Sequence, residues 1–377
     1  MAPRKSKISK REAGSSVADD EPPQPPTKDI YRNGDLILVV GEDFGPAHRF
    51  RVSRDTMCMA SPVWSAMLSR DGQFCEAARK EVTFADDDPD ALLLILQIAH
   101  LQFQEAYEVM ELEELLEVAI LCDKYDTVAM VRPFIPRWVE PFLRRGYDEL
   151  SGDEEYLTIA WTFGYHNEFE GFAKYLVEHI RTNDRGHCVN EKGRIIGWKM
   201  PPDIIENLLA IREASVLRFI ESFYVFYNQV YDGDNCQIYS SRADATVHRD
   251  CCYALHLGRL IQGYKSIGQA SPRRTAEEVA AASADIHASI SEIYEAIGRI
   301  EVRNLIEDQR LTPDLAPRSH AVCNFSSEMH SDMVDRLDDF RAMDPVLESH
   351  RAHMKTQWAK GNVEPEYMMS PISPRWD

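Results

Sequence analysis

The chain has 377 residues, 44% of them hydrophobic, which is typical of a globular protein long enough for about two domains. Its 62 acidic and 42 basic residues give a formal net charge of -20. A surface with that charge repels phosphate backbones, so we expect no nucleic acid on the folded body, and the longest apolar run, residues 91–98, is far below the roughly 20 residues that cross a bilayer.

Residues 1–28 predict a disordered tail. Five of the first eleven residues are basic, and four prolines follow within five positions. The basic cluster has two interpretations, a nuclear import signal and a solvated tail that keeps the chain soluble. No apolar stretch typical of a secretory signal accompanies it, so we expect an intracellular protein, cytoplasmic or nuclear, whose eight cysteines are thiols or metal ligands.

Three strands are predicted in the stretch from residue 34 to residue 84. Residues 35–40 are β-branched and leucine-rich but too few for a helix, which favours a buried strand. Residues 47–52 alternate between polar and apolar side chains, the period of a strand with one covered face. Turn-forming residues separate the two, so they predict a hairpin, and residues 80–84 predict the third strand.

Helix start signals are interleaved with these strands. Ser53 and Ser61-Pro62 are typical helix N-termini, and we expect Val63 and Met67 to face inward, with Trp64 as a further candidate. The acidic run at residues 86–88 caps a long apolar helix, because carboxylates stabilise a helix N-terminus. The sequence therefore predicts an α+β fold in which a three-stranded sheet packs with helices.

The rest of the chain reads as helix. Residues 111–125 carry an amphipathic pattern, and prolines break residues 128–143 into short helices. Two further helices form a predicted hairpin in a helical extension, residues 141–182. A polar boundary follows, then a helical C-terminal region at residues 183–344. Its predicted helices cover residues 201–230, 252–267, 276–306 and 327–340. Residues 345–377 predict a poorly ordered tail.

Several short motifs resemble the BTB/POZ domain, and specifically the large set of fungal proteins that carry it. The motifs are Gly-Asp-Leu-Ile-Leu-Val-Val at 34–40, Ala-Ser-Pro-Val-Trp at 60–64, Asp-Asp-Pro-Asp-Ala at 87–91 and Leu-Cys-Asp-Lys-Tyr at 121–125. No single motif is specific, but together they are. The resemblance assigns residues 29–140 to a BTB/POZ-like domain.

This resemblance implies a protein interaction module with no chemistry of its own. It leaves two partners open, a second copy of the chain and a cullin-type ubiquitin ligase scaffold. Members that dimerise often use a strand and helix before the first core strand, where this chain has only residues 29–33 after its proline-rich tail. Members that recruit a cullin carry a hydrophobic-x-Glu element after the second core helix, and Phe74-Cys75-Glu76 lies at that place. The alternative is that Phe74 tucks under the sheet and Glu76 is only solvated.

One set of residues has the composition of a metal site. Cys236, Cys251 or its neighbour Cys252, and His320-x-x-Cys323 would supply three thiolates and an imidazole to a tetrahedral structural zinc. Similar Cys and His-x-x-Cys elements occur in the C-terminal part of the fungal proteins that the chain resembles. Buried, inert thiols are the alternative, and we expect no other cofactor.

Three functions remain open from the sequence. The first is a non-enzymatic scaffold or adaptor, the second is the substrate adaptor of a cullin-type ubiquitin ligase, and the third is a nuclear, transcription-associated regulator. No nucleophile, base and orienting group occur with a recognisable local signature, so we do not expect an enzyme.

Overall fold

The computed structural model describes residues 25–70, 74–104, 106, 109–232, 246–266, 276–283, 285–299 and 326–361. Its N-terminal part is a mixed four-stranded sheet in the order β1-β3-β2-β4. The strands are β1 (Thr27–Asp29), β2 (Leu36–Val40), β3 (His48–Val52) and β4 (Glu81–Phe84). The three predicted strands are β2, β3 and β4, with β2 and β3 paired antiparallel and β4 parallel to β2. The α+β class is confirmed.

The sheet has one strand more than predicted. β1 pairs parallel with β3, although its residues were assigned to the boundary of the disordered tail. Ile30 follows β1 directly, is buried in the core, and its carbonyl accepts a hydrogen bond from Gln102 Nε2 at 2.7 Å. A polar strand of three residues is therefore held by a contact 72 residues away in sequence, which local patterns do not reveal.

Eight helices accompany and follow the sheet within the described residues up to position 180. They are α1 (Arg54–Ala60), α2 (Pro62–Leu68), α3 (Pro89–Ala99), α4 (Leu112–Lys124), α5 (Val128–Val131), α6 (Ile135–Leu143), α7 (Tyr156–Phe163) and α8 (His166–His179). The predicted caps are confirmed: Ser53, Ser61 and Asp88 each accept a hydrogen bond from a first-turn N–H group. The predicted helical hairpin is α7 and α8.

Of the three residues considered for the inward face of α2, Val63 was wrong, whereas Trp64 and Met67 contact the core. Trp64 and Leu68 are fully buried, Met67 is partly buried and Val63 is exposed. Apolar residues occur all round this short helix, so their spacing alone does not fix which side meets the core. Tertiary packing decides it, because the Trp64 ring lies 5.3 Å from the ring of Tyr125.

Two successive turns with the same hydrogen bonds follow α8. The side-chain oxygen of Asn183 accepts from the N–H groups two and four residues later, both at 3.0 Å, and Asn190 repeats the pattern at 3.0 and 2.9 Å. Gly186 and Gly193 supply the left-handed residue of each turn. The strands are β5 (Arg181–Thr182) and β6 (Cys188–Val189), paired antiparallel. The predicted polar boundary is thus an ordered hairpin that precedes the helical C-terminal region.

The C-terminal region is otherwise helical where the structure describes it. Its helices are α9 (Ile204–Asp232), α10 (Thr246–Ser266), α11 (Ala276–Ser283), α12 (Ile290–Gly298), α13 (Ser326–Arg341) and α14 (Glu348–Gly361). The stretch predicted as one helix from residue 276 is divided into α11 and α12, because Ser289 forms a capping box with Glu292 and starts a new helix. In the part of the chain that the structure describes, no helix is long and apolar enough to cross a membrane.

Helix α14 contradicts the predicted disorder for residues 345–361, and residues 362–377 of the predicted tail lie outside the described residues. The helix packs against α5, α7 and α8, with Met354 buried. Much of its docking is polar: His350 Nε2 donates to the carbonyl of Pro202 at 2.6 Å, and Lys360 Nζ lies 2.7 Å from Asp126 Oδ1. The Trp161 ring stacks on His353 at 3.7 Å between centroids. A helix that docks through polar groups has no apolar stripe for sequence analysis to detect.

Candidate functional site

Three apolar side chains are exposed on consecutive elements of the N-terminal domain. Met59 on α1 is 82% exposed, Val63 on α2 is also exposed, and Phe74, just before the 3₁₀ turn Cys75–Ala78, is 58% exposed. α1 packs on α2, and α2 packs on the turn. We call Met59, Val63 and Phe74 the α1–α2 surface. Large apolar side chains are a common feature of binding surfaces when they lie on neighbouring elements.

Ser61 fixes the junction between α1 and α2. Its N–H donates to the carbonyl of Met57, which closes the last turn of α1. Its hydroxyl accepts from the N–H of Trp64 at 3.0 Å. The same hydroxyl donates to the carbonyl of Tyr125 at the end of α4. Ser61 is buried, ends α1, starts α2 and bonds to the end of α4. The orientation of α1 relative to α2 is therefore defined.

The structure places Phe74 and Glu76 as follows. Phe74 does not tuck under the sheet, so the alternative interpretation of that side chain was wrong. Glu76 is partly exposed, one residue into the turn, while Ala77 is buried beneath it. Hydrogen bonds from its own N–H and from the Cys75 thiol lower the pKa of Glu76, so it is a carboxylate at neutral pH. Partner binding by this pair stays a prediction.

A buried arginine that sequence analysis missed lies behind the turn. Arg54 is only 4% exposed, and its Nη1 donates to the carbonyls of Leu68 at 2.9 Å and Ala77 at 3.1 Å. Its Nη2 donates to the carbonyl of Arg79. As the first residue of α1 it follows a polar N-cap, where an arginine is ordinarily solvated. No sequence signal distinguishes it from a surface residue.

The acidic run before α3 has a structural role. Asp88 Oδ1 accepts from the N–H groups of Asp90 and Ala91 at 3.1 and 2.9 Å, as the cap prediction required. Asp87 is fully buried and accepts from Lys124 Nζ at 2.7 Å and from the Tyr125 hydroxyl. Burial, followed by the Asp87 carboxylate, raises the pKa of Tyr125. These carboxylates are therefore engaged within the fold.

The predicted zinc ligands are not brought together in the described part of the chain. Cys236, His320 and Cys323 lie outside the described residues, and Cys251 lies in α10 without a described side chain. Cys252 is buried, with its Sγ 3.5 Å from His256 Nδ1. Among the residues that the structure describes, no three Cys, His, Asp or Glu side chains could hold a metal ion. Structural zinc stays a prediction.

Two of the described cysteines have the properties of structural thiols. Burial raises the pKa of the Cys122 and Cys188 thiols to about 12, so neither is a thiolate at neutral pH. A nucleophilic cysteine requires the opposite shift. Their placement agrees with a packing role.

Residues 28–135 match the family model of the BTB/POZ domain. No curated protein and no solved structure matches the chain. The resemblance to this domain is confirmed, and its fungal affiliation stays a prediction. BTB/POZ domains mediate protein–protein interactions, so the chain carries a protein interaction module in its first third. Sequence motifs located Phe74 and Glu76, whereas the exposure of Met59 and Val63 and the burial of Arg54 came from the structure alone.

Proposed function

We propose that the chain is an intracellular scaffold or adaptor without catalysis, in which the BTB/POZ domain binds a partner protein through the α1–α2 surface. The observation that carries this proposal is the exposure of Met59 and Val63 on helices joined at Ser61, with Phe74 exposed at the turn that packs against α2. A large apolar side chain on a rigid element contributes more binding free energy than one on a loop, because little conformational entropy is lost when it docks. The helical region beyond the domain would bind a second protein.

The charge of the chain favours particular partners. With a net charge of -20, it attracts basic proteins and repels acidic ones at low salt. Glu76 places one carboxylate next to the apolar Phe74, which adds an oriented polar contact to the anchor. A complementary partner presents an apolar pocket beside a basic or hydrogen-bond-donating group.

A cullin-type ubiquitin ligase scaffold is the specific partner we propose for this surface. The observation that favours it is that Phe74 is exposed and Glu76 is at least partly exposed at the place where the hydrophobic-x-Glu element was expected. The helical region would then select the substrate to be ubiquitinated. A homodimer is the competing partner, and light scattering after size-exclusion chromatography separates the two.

The test measures binding of the full chain to the recombinant N-terminal domain of a cullin scaffold by calorimetry. Phe74→Ala with Glu76→Ala should weaken binding at least about thirtyfold, the effect of losing one hot spot of about 2 kcal/mol. Phe44→Ala is the matched control, because Phe44 is 60% exposed in the turn between β2 and β3 and lies outside the proposed surface. Equal affinity in the double variant and the wild type would refute the role of the pair.

The broader scaffold proposal has its own test, which requires no candidate partner. Cys75 is an exposed thiol between Phe74 and Glu76, and a photocrosslinker attached to it samples this surface. We expect a crosslinked partner in native extract that is lost in the double variant and is not obtained from a crosslinker placed on Phe44→Cys combined with Cys75→Ser, which removes the thiol at this surface. The same adducts from both positions would show that contact at this surface is unspecific.

A further inference from the structure

A positive charge is buried directly behind the proposed anchor. Among the residues that the structure describes, the Arg54 guanidinium bonds to backbone carbonyls, those of Leu68, Ala77 and Arg79 and, at 3.4 Å, that of Glu76. Among the described residues no carboxylate lies within ion-pair distance of it. A buried charge is costly unless fixed dipoles or an opposite charge compensate it. These carbonyls replace the lost water, and the nearby Asp35 carboxylate adds a Coulombic attraction.

The four carbonyls belong to two separate pieces of chain. Leu68 is the last residue of α2, where helix carbonyls lack intrahelical partners and carry partial negative charge. Ala77 lies in the 3₁₀ turn and Arg79 is its C-cap. The planar guanidinium presents five donors in a fixed fork, so one side chain ties the end of α2 to the turn.

The backbone of Arg54 is itself held from two directions. Its N–H donates to Asp35 Oδ1 at 2.9 Å, and Asp35 lies immediately before β2. The preceding N–H, of Ser53, donates to His100 Nε2 at 3.1 Å, at the end of α3. Burial alone would raise the pKa of Asp35, but the hydrogen bonds from Arg54 and Arg70 lower it, so Asp35 remains a carboxylate. The guanidinium therefore extends from a fixed origin on the sheet and α3.

We infer that Arg54 is a positioning residue for the Phe74–Glu76 pair. It anchors the 3₁₀ turn to α1 and α2, so that Phe74 and Glu76 are held in one orientation before a partner arrives. This inference rests on the proposed function and adds the residue that preorganises its anchor. Without Arg54, the turn would have to be ordered during binding, and that entropy loss would weaken the complex.

The experiment compares Arg54→Lys and Arg54→Met with wild type by hydrogen–deuterium exchange and by binding to the recombinant cullin N-terminal domain. Lysine keeps the charge, but its single ammonium does not reproduce a fork that spans several carbonyls. We expect exchange at residues 74–79 to be at least about tenfold faster and the affinity to fall about tenfold, with β2 and β3 unchanged. Arg144→Ala is the control, because Arg144 is exposed and pairs with Glu140 at the end of α6, away from Arg54 and Asp35.

The exchange arm decides the inference without a partner. Unchanged exchange at residues 74–79 overturns it. Equally faster exchange across the sheet, or failure of both variants to fold, also overturns it, because Arg54 would then hold the whole domain together. If protection is lost only at residues 74–79 while the affinity for the cullin domain is unchanged, the positioning role of Arg54 is supported. The same result refutes Phe74 and Glu76 as the docking anchor.

Discussion

The docking of α14 can be tested at a single glycine. Gly164 ends α7 in the left-handed conformation, with φ of 81°. A Cβ atom there would lie 2.7 Å from the backbone nitrogen of Trp358 and 2.8 Å from the carbonyl oxygen of Met354. Both atoms belong to the backbone of α14, so they do not move aside by a change of rotamer. Gly164→Ala therefore forces α14 away from α7.

The expected cost has two parts. A left-handed alanine costs about 1 kcal/mol, and the steric conflict with a packed helix adds about 2 kcal/mol. Gly186→Ala is the matched control, because Gly186 has φ of 77° but nothing within 4 Å of its added Cβ. Gly186→Ala should lose only the unfolding free energy that a left-handed alanine costs. Subtracting the two losses of unfolding free energy isolates the α14 contact.

Urea unfolding measures both losses, and hydrogen exchange locates them. We expect the amides of α14 to exchange faster in Gly164→Ala and to remain protected in Gly186→Ala, while the sheet is unaffected in both. Equal losses of stability in the two variants, with α14 protected in each, would refute the packing of this helix against α7.

Three further predictions concern the N-terminal domain. Burial lowers the pKa of His100 below its ordinary value of 6.5, because desolvation disfavours the charged imidazolium more than the hydrogen bond to the Leu96 carbonyl favours it. As the pH falls, the unfolded chain binds this proton before the folded chain does. The stability contributed by neutral His100 is therefore complete above pH 6.5 and is lost as the pH falls through 6.5 toward the folded-state pKa. An NMR titration that gives a folded-state pKa above 6.5 would contradict the prediction. Asp88→Ala should cost about 1 kcal/mol of unfolding free energy through loss of the α3 cap, and a change below 0.3 kcal/mol by urea unfolding would argue against that cap. A thiol reagent followed by mass spectrometry should modify Cys75 within minutes and leave Cys122 unmodified until the chain unfolds; equal rates would disprove the burial of Cys122.

Local signals determined much of this protein. The strand at residues 36–40, the caps at Ser61 and Asp88, and the α7–α8 hairpin follow from side-chain periodicity and capping chemistry, which act within a few residues. Together with the motifs around them, they were sufficient to place the domain and to locate Phe74 and Glu76 as candidates.

Tertiary structure decided what depends on distant partners. β1 and α14 are polar segments that become ordered through contacts with residues far away in sequence, such as Gln102 for β1 and Asp126 for α14. The same applies to Arg54, whose bonds reach carbonyls 14 to 25 positions further along the chain. A polar side chain looks the same in a sequence whether water or a backbone carbonyl will satisfy it. Only the packed chain determines which of the two satisfies it.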